Sequence, residues 1–159
     1  MAQLTRDLYV PFLDTSKGSG TASYVPIDLS TQFEFSYNPN TETKSYICYK
    51  NDTTETTGYA PEFPQEIVLD NTNALYKFMD EYLNSYPVGS DAKIPLLIAR
   101  PDLTTGKMTV GQLWSDCTVV GDTLNTVDGK LSFTLYPNGD PVNGTVSVTS
   151  GKVTFTPKA

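Results

Sequence analysis

The chain has 159 residues, a formal net charge of −7 at pH 7 and no histidine. The acidic balance argues against binding to the outside of DNA or RNA and against an anionic membrane surface, because both need lysines and arginines to neutralise phosphates. Without histidine, most acid–base schemes, catalytic triads and zinc sites are excluded. We therefore expect no enzymatic activity, no cofactor and no metal.

Residues 1–23 have the composition of an N-terminal arm. Four apolar residues are followed by the Gly- and Ser-rich stretch 14–20, which is typical of a flexible linker. We expect the arm to order against a neighbouring subunit, with a frayed terminus as the alternative. The candidate arm contacts are Leu8, Val10, Phe12 and Leu13. The first seven residues are polar and lack the apolar run of a signal peptide, so we expect a soluble protein made in the cytoplasm.

The next part of the chain predicts strands. Residues 24–27 and 32–37 fit short strands, and in the second stretch three aromatic residues alternate with polar ones, which places them on one face. Asn38-Pro39-Asn40 predicts a turn. A further strand is predicted over 45–50.

A polar stretch then predicts a projection over about 51–64, either a long loop or the tip of a hairpin. It carries no aliphatic residue up to Gly58 and then contains two prolines. Long structureless connections are uncommon inside compact domains and are often functional.

One amphipathic helix is predicted over about 73–85. Four large apolar side chains recur at i, i+3, i+4 and i+7, which makes one stripe that should pack on a sheet. These are Leu75, Phe78, Met79 and Tyr82. Asp70 or Asn71 is the expected N-cap, and Pro87 ends the element.

The remainder of the chain predicts short strands separated by Gly turns, as in a β-sandwich or barrel. Pro95 implies an edge position or an irregular start for the strand at 93–100. The other predicted strands are 108–113, 117–120, 131–136, 145–148 and 152–155. Turns are expected at 128–129, 138–139, 143–144 and 150–151. No domain boundary is evident, so 1–159 is predicted to be a single domain.

Few residues are candidates for chemistry. Cys48 and Cys117 are far apart in sequence, and we expect both to be reduced and buried thiols, with a disulfide as the alternative. Trp114 could stack on a sugar, but a partly buried anchor is the favoured interpretation. Paired carboxylates could support glycoside hydrolysis, yet nothing marks any pair among the acidic residues.

The order of elements from 42 to 99 resembles a known family. A strand, a polar loop containing Tyr59-Ala-Pro-Glu62, a short strand at Ile67-Val-Leu69, the helix, and an exit through Val88-Gly-Ser-Asp-Ala92 follow one another. This order is similar to that of the tail tube proteins of long-tailed bacteriophages, the siphophages.

The resemblance implies a mainly β fold with two roughly orthogonal antiparallel sheets, forming a sandwich or barrel with one flanking helix. It also implies hexameric rings stacked into a virion tail tube. The partners would be other copies of the chain, the tape measure protein, and tail terminator and tip proteins. DNA would pass as cargo without binding, since an acidic channel repels phosphates.

By the same resemblance, the projecting loop and the arm would make contacts between rings. The loop residues expected at these contacts are Asn51, Asp52, Thr53, Thr54, Glu55, Thr56, Thr57, Gly58 and Tyr59. Two other functions stay open. One is a carbohydrate- or receptor-binding β-sandwich, such as a phage adhesin or capsid decoration protein. The other is a small hydrolase that uses two carboxylates.

Overall fold

A computed structural model describes residues 3–158 of the chain. Over these residues the strands are β1 (Val10–Asp14), β2 (Tyr24–Pro26), β3 (Pro39–Lys44), β4 (Thr53–Tyr59), β5 (Phe63–Val68), β6 (Leu96–Pro101), β7 (Met108–Trp114), β8 (Asp116–Asn125), β9 (Lys130–Asn138), β10 (Val142–Thr149) and β11 (Lys152–Pro157). One α-helix, α1 (Ala74–Asn84), lies between β5 and β6, and two short 3₁₀ turns cover Arg6–Leu8 and Gly89–Ala92.

The strands form three sheets, and each pair of neighbouring strands within them is antiparallel. The largest sheet has the order β11-β10-β7-β6-β1-β2, the second has the order β5-β9-β8, and β3 pairs with β4 alone. The six-stranded sheet curls so far that its edge strands β2 and β11 come into contact. The predicted class is therefore confirmed as mainly β with antiparallel sheets and one helix. The separate two-stranded sheet was not predicted.

The main core lies between the six-stranded and three-stranded sheets, with α1 packed against it. The strictly alternating stretch of β9 contributes three core side chains, as its pattern predicted. The large side chains that are almost completely buried here include Leu13, Phe63, Ile67, Leu75, Met79, Leu96, Ile98, Phe133 and Leu135. Each such side chain contributes roughly 1.5–3 kcal/mol through its removal from water.

A second, smaller core fills the inside of the curled sheet, where Phe12, Leu97 and Val146 meet. Gly111 and Gly144 lie directly opposite each other on β7 and β10. The ring of Phe155 from β11 occupies the space that two side chains would otherwise take, since a Cβ on Gly144 would lie 2.8 Å from it. The two glycines therefore permit the close approach that closes this end of the sheet.

The helix begins at Asn73, whose side chain accepts a hydrogen bond from the Tyr76 amide at 2.9 Å. An N-cap of this kind satisfies one of the free amides of the first turn. Asp70 instead caps the turn before the helix, and hydrogen bonds from Thr72 hold the pKa of its carboxyl below the usual value. The predicted helix is confirmed to within one residue at each end, but Asp70 and Asn71 were the wrong choice of N-cap.

The prediction of an N-terminal arm is wrong for Val10–Asp14. This segment is β1, which pairs with β2 on one side and β6 on the other. Phe12 is 4% exposed and Leu13 is fully buried, so neither can contact another subunit. A strand inside a sheet satisfies its backbone groups within the chain, which a flexible arm cannot do. Residues 1 and 2 of the predicted arm lie outside the described residues.

The predicted strands at 32–37 and 45–50 are also wrong. Residues 32–37 form only an isolated bridge between Ser36 and Glu62, because the aromatic side chains pack on Phe63 and Trp114 instead of joining a ladder. Residues 45–50 connect β3 to β4. The polar stretches on either side of residues 45–50 form the strands β3 and β4 instead.

Three further predictions need correction. The projecting loop 51–64 is mostly strand, since β4 takes 53–59 and β5 begins at the buried Phe63. Of the two alternatives for Pro95, the irregular start is confirmed because Pro95 precedes β6, and the edge position is wrong because β6 is an interior strand of the six-stranded sheet. The predicted turn at 143–144 lies inside β10, because its glycine is needed for close packing.

The close contact between Gly144 and β11 leads to a stability prediction. Gly144→Ala should lower the free energy of unfolding by roughly 2–3 kcal/mol, because overpacking forces neighbouring backbone to move. The added Cβ would lie 2.2 Å from the Thr156 carbonyl oxygen. Gly58→Ala is the matched control, since it lies in β4 with open space around it and should change stability by less than about 0.5 kcal/mol. Equal urea midpoints for the two variants would contradict this packing account.

Candidate assembly surface

A β-hairpin formed by β3 and β4 is exposed to solvent along both of its strands. The two strands pair from Pro39 opposite Tyr59 to Lys44 opposite Thr53, with one bulge after Asn40. Each β3 residue is exposed, and in β4 only Gly58 is half-buried. The strands form because β-branched threonines favour extended backbone and pair across the ladder. The hydroxyls of Thr43 and Thr54, for example, lie 3.0 Å apart.

The tip of the hairpin, residues 45–52, carries apolar side chains into solvent. Ile47 is fully exposed at 104%, and Tyr49 is 69% exposed. The rings of Tyr46 and Tyr49 contact each other edge to face with centroids 6.3 Å apart. The Ser45 hydroxyl donates a hydrogen bond to the Asp52 carboxylate, which links the two ends of the tip. The tip therefore exposes a cluster of apolar side chains that the described residues leave uncovered.

The base of the hairpin is anchored to the body by backbone hydrogen bonds. Asn38 adopts a left-handed conformation with φ 44°, which Asn tolerates better than most residues. The Ala60 amide donates to the Asn38 carbonyl at 3.1 Å. Next to this pair, Ser36 and Glu62 exchange two bonds of 2.9 and 3.0 Å. The hairpin thus leaves the body at the start of β5.

Trp114 anchors the body beneath this base. It is 4% exposed, and the Phe35 ring covers it with centroids 5.5 Å apart. The interpretation of Trp114 as a buried anchor is confirmed, and its face is not available for stacking on a sugar.

A cleft of about 1130 Å³ opens between the hairpin base and the end of the body. Arg100 lies in its wall, and its buried Nε has no hydrogen-bond partner. Among the described residues no carboxylate forms an ion pair with this guanidinium.

The residues predicted to make subunit contacts divide into two groups. Asn51 and Asp52 lie in the tip and Thr53–Tyr59 forms β4, so the loop candidates all belong to the hairpin. Their contacts with other subunits stay a prediction. Of the arm candidates, Leu8 and Val10 are half-buried, and the other two are core residues.

The sequence did not lead us to predict β3, the first strand of the hairpin. β3 reads as Pro-Asn-Thr-Glu-Thr-Lys and has no apolar alternation. The available signal was the match between two Thr-rich stretches on either side of residues 45–52, which can pair across a turn. The apolar residues of the tip suggested a buried strand, but they are exposed.

The described residues contain no group of three metal-ligating side chains. Between residues 3 and 158, no helix is long and apolar enough to cross a membrane.

Comparisons with known proteins match this fold to parts of contractile injection systems. The terminator of the sheath and tube of the extracellular PVC system aligns with a TM-score of 0.56 at 8% identity, covering 90% of this chain and 97% of that chain. The tube-terminating cap of the anti-feeding prophage aligns with a TM-score of 0.52 at 13% identity, covering 99% and 93%. A chain of the PVC sheath–tube complex aligns with a TM-score of 0.50 at 9% identity, covering 91% and 93%.

These similarities establish a shared fold of the tail-tube type. No protein-family model matches the sequence, and no curated protein matches it significantly.

The two cysteines provide a test of the hairpin's exposure. The expectation of buried thiols is wrong for Cys48, which lies exposed in the tip, whereas Cys117 is fully buried in the core. Burial raises the pKa of the Cys117 thiol to about 12, so at pH 8 it is neither ionised nor accessible. A disulfide reagent should therefore titrate one thiol per native chain at pH 8 and a second only in denaturant. Cys48→Ser should remove the fast thiol. Two fast thiols in the native protein would refute the placement of Cys117.

Proposed function

We propose that this chain is a structural, non-enzymatic subunit of a phage-like tail and that its copies assemble into stacked rings that form a tube. The observation that carries the proposal is the hairpin, whose strands pair only with each other among the described residues and whose apolar tip is exposed. The fold shared with tube and terminator proteins supports the same conclusion.

The physical argument concerns the stability of the hairpin. An isolated two-stranded hairpin is at best marginally stable in water, because ordering its backbone costs about 1–2 kcal/mol per residue. β3 and β4 bury almost nothing against the body. The tip also exposes Ile47 and two tyrosines together, and exposed apolar clusters mark interaction sites. Contact with another copy would stabilise both features.

Ring closure has a physical route through the sheet edges. β8 ends the three-stranded sheet, and beyond Thr118 its outer edge pairs with no strand among the described residues. An exposed edge can pair with a strand of a neighbouring chain. A head-to-tail contact between unlike surfaces closes into a ring or continues as a filament. Six copies per ring follows from the family resemblance.

The net charge of −7 fits a channel that DNA passes without binding. The proposed partners are other copies of the chain, the tape measure protein, and terminator and tip proteins of the tail, and the proposed location is the virion. The sequence resembles siphophage proteins, whereas the structural neighbours belong to contractile systems. The proposal therefore rests on the tube fold that both kinds of tail share.

A second candidate function is that of a terminator, which would form one ring at the end of a tube. Two of the three structural neighbours carry that description. Electron microscopy separates the two functions. A tube subunit gives filaments roughly 100 Å across, the width of six domains of about 30–40 Å around a channel, whereas a terminator gives single rings. A monodisperse monomer at high concentration would reject both.

A deletion tests whether the hairpin is needed for assembly. Removing residues 41–57 joins Asn40 to Gly58, which face each other across the ladder. The new Asn-Gly pair favours a tight two-residue turn between Pro39 and Tyr59. Because the removed residues are exposed, we expect the body to keep its thermal midpoint while sedimentation velocity detects only monomer.

The control for this deletion is the full-length chain at the same concentration, which should sediment as assemblies. Assemblies of normal size formed by the deletion variant would contradict a role for the hairpin. A large fall in its thermal midpoint would instead mean that the hairpin supports the body.

A further inference from the structure

The cleft between the hairpin base and the body lies where the main core ends. Leu96 and Ile98 of β6 and Trp114 of β7 belong to that core. Because alternate residues of a strand share a face, Arg100 continues the row formed by Leu96 and Ile98. Gln112 lies opposite Ile98 in the ladder and therefore shares this face. Both polar side chains line the cleft, which we name the base cleft.

Arg100 is poorly explained by the needs of the isolated chain. Its side chain is half-buried, and among the described residues its buried Nε finds no hydrogen-bond partner. A buried donor without an acceptor costs stability, more so when it carries charge. Such groups are rare in native structures and call for an explanation. A ligand held in the base cleft would supply the acceptor.

The hairpin side of the base cleft presents aromatic rings. Tyr37 and Tyr59 line it and are 60% and 64% exposed. Phe35 supports this wall, because its ring contacts the Tyr37 ring edge to face with centroids 5.6 Å apart. Binding sites combine such aromatic surfaces with a few polar groups that fix the orientation of the ligand. One wall of the base cleft therefore suits a ligand that has an apolar face.

The base cleft also carries charges of both signs. Arg100 is a cation in its lining, and Glu62 and Asp140 are carboxylates in the same lining. Tyr136 adds a phenol. Burial, together with the negative charges of Glu62 and Asp122, raises the pKa of Tyr136, so at neutral pH its hydroxyl is protonated and can donate. Hydrogen-bond donors and acceptors thus lie in one cleft.

This combination favours a neutral, polyhydroxylated ligand. An anion attracted by Arg100 would be repelled by Glu62 and Asp140. A sugar hydroxyl both donates and accepts, so sugar hydroxyls can bond to the guanidinium and to the carboxylates. The apolar C–H face of a pyranose ring can stack on a tyrosine ring. The cleft volume of about 1130 Å³ exceeds the roughly 300–1,000 Å³ of most small-molecule pockets, which leaves room for several sugar units.

We propose that the base cleft binds a short neutral oligosaccharide of pyranose units. Tyr37 and Tyr59 stack on the sugar rings, and Arg100 donates hydrogen bonds to hydroxyl oxygens. All lining residues belong to one chain, so binding does not require assembly. The site is an addition to the proposed tail function and does not rest on it.

Saturation-transfer NMR tests the site with neutral tetrasaccharides built from glucose, mannose, galactose or N-acetylglucosamine, and with tetragalacturonate as an anionic probe. At least one neutral tetrasaccharide should receive saturation from the full-length chain, and isothermal titration calorimetry then gives its Kd. The NMR measurement works for monomers and for large assemblies. Binding confined to tetragalacturonate, or absent for every probe, would overturn the proposal.

A tyrosine variant tests the aromatic wall. Tyr59→Ala removes a stacking surface and should weaken binding of the neutral tetrasaccharide roughly fivefold to tenfold. Tyr49→Ala is the matched control, because it removes a similarly exposed tyrosine from the hairpin tip, outside the cleft. Its Kd should equal that of the unmodified chain. Equal Kd values for the two variants would contradict stacking in the base cleft.

Arginine variants separate ligand binding from folding. Arg100→Met removes the donors and should weaken binding at least about tenfold, whereas the thermal midpoint should hold or rise because the unsatisfied Nε is gone. Arg100→Lys keeps the charge but lacks the planar guanidinium, so it should bind about as weakly. Arg6→Met, which changes an exposed arginine outside the cleft, should leave the Kd unchanged. An unchanged Kd for Arg100→Met would overturn the proposal.

The two proposals fail in distinguishable ways. If filaments or rings form but no neutral tetrasaccharide binds, the binding site is rejected and the assembly function stands. If the chain stays monomeric at high concentration and binds a neutral tetrasaccharide, the assembly function is rejected and the binding site stands.

Discussion

A pair of β-strands bonded only to each other gains too little to offset the entropy of ordering its backbone. β3 and β4 are in this position, since each strand has one neighbour and its side chains face solvent. The apolar tip adds to the imbalance, because Ile47 and Tyr49 would be hydrated in a free subunit. In the proposed assembly, contact with a neighbouring copy would offset both the entropy of ordering the hairpin and the exposure of its apolar tip. The function proposed for this chain depends on that constraint more than on its fold.

The apolar cores of the body are formed within one chain. Two cores fill the spaces between and inside the sheets, and the opposed Gly111 and Gly144 admit Phe155 where a side chain would collide. Such a body can serve as a rigid frame that holds the hairpin base. Rigid placement matters because a repeating contact between unlike surfaces must keep one geometry along the whole assembly.

Elements with a strong periodic pattern were predictable. The stripe of α1 and the alternation of β9 each bury one face, so their apolar residues recur at fixed spacing. The hairpin has no buried face, and the polar sequence of β3 therefore carries no period that could indicate a strand. The same reasoning explains the error at Phe12 and Leu13, whose burial depends on strands more than 80 residues later in the chain. The candidate site was half predictable. Its β4 residues and Asn51 and Asp52 of the tip were singled out as a polar projection, but the apolar residues of the tip were not, because apolar residues normally indicate burial.

The central claim is that the hairpin is stabilised by a neighbouring copy and not by its own chain. Amide hydrogen exchange measured in dilute monomer and in the assembled state tests it most directly. Amides of β9 should be protected in both states, whereas those of β3 and β4 should exchange fast in the monomer and become protected on assembly. Protection of the hairpin that is equally strong in dilute monomer, or that does not increase on assembly, would contradict the account.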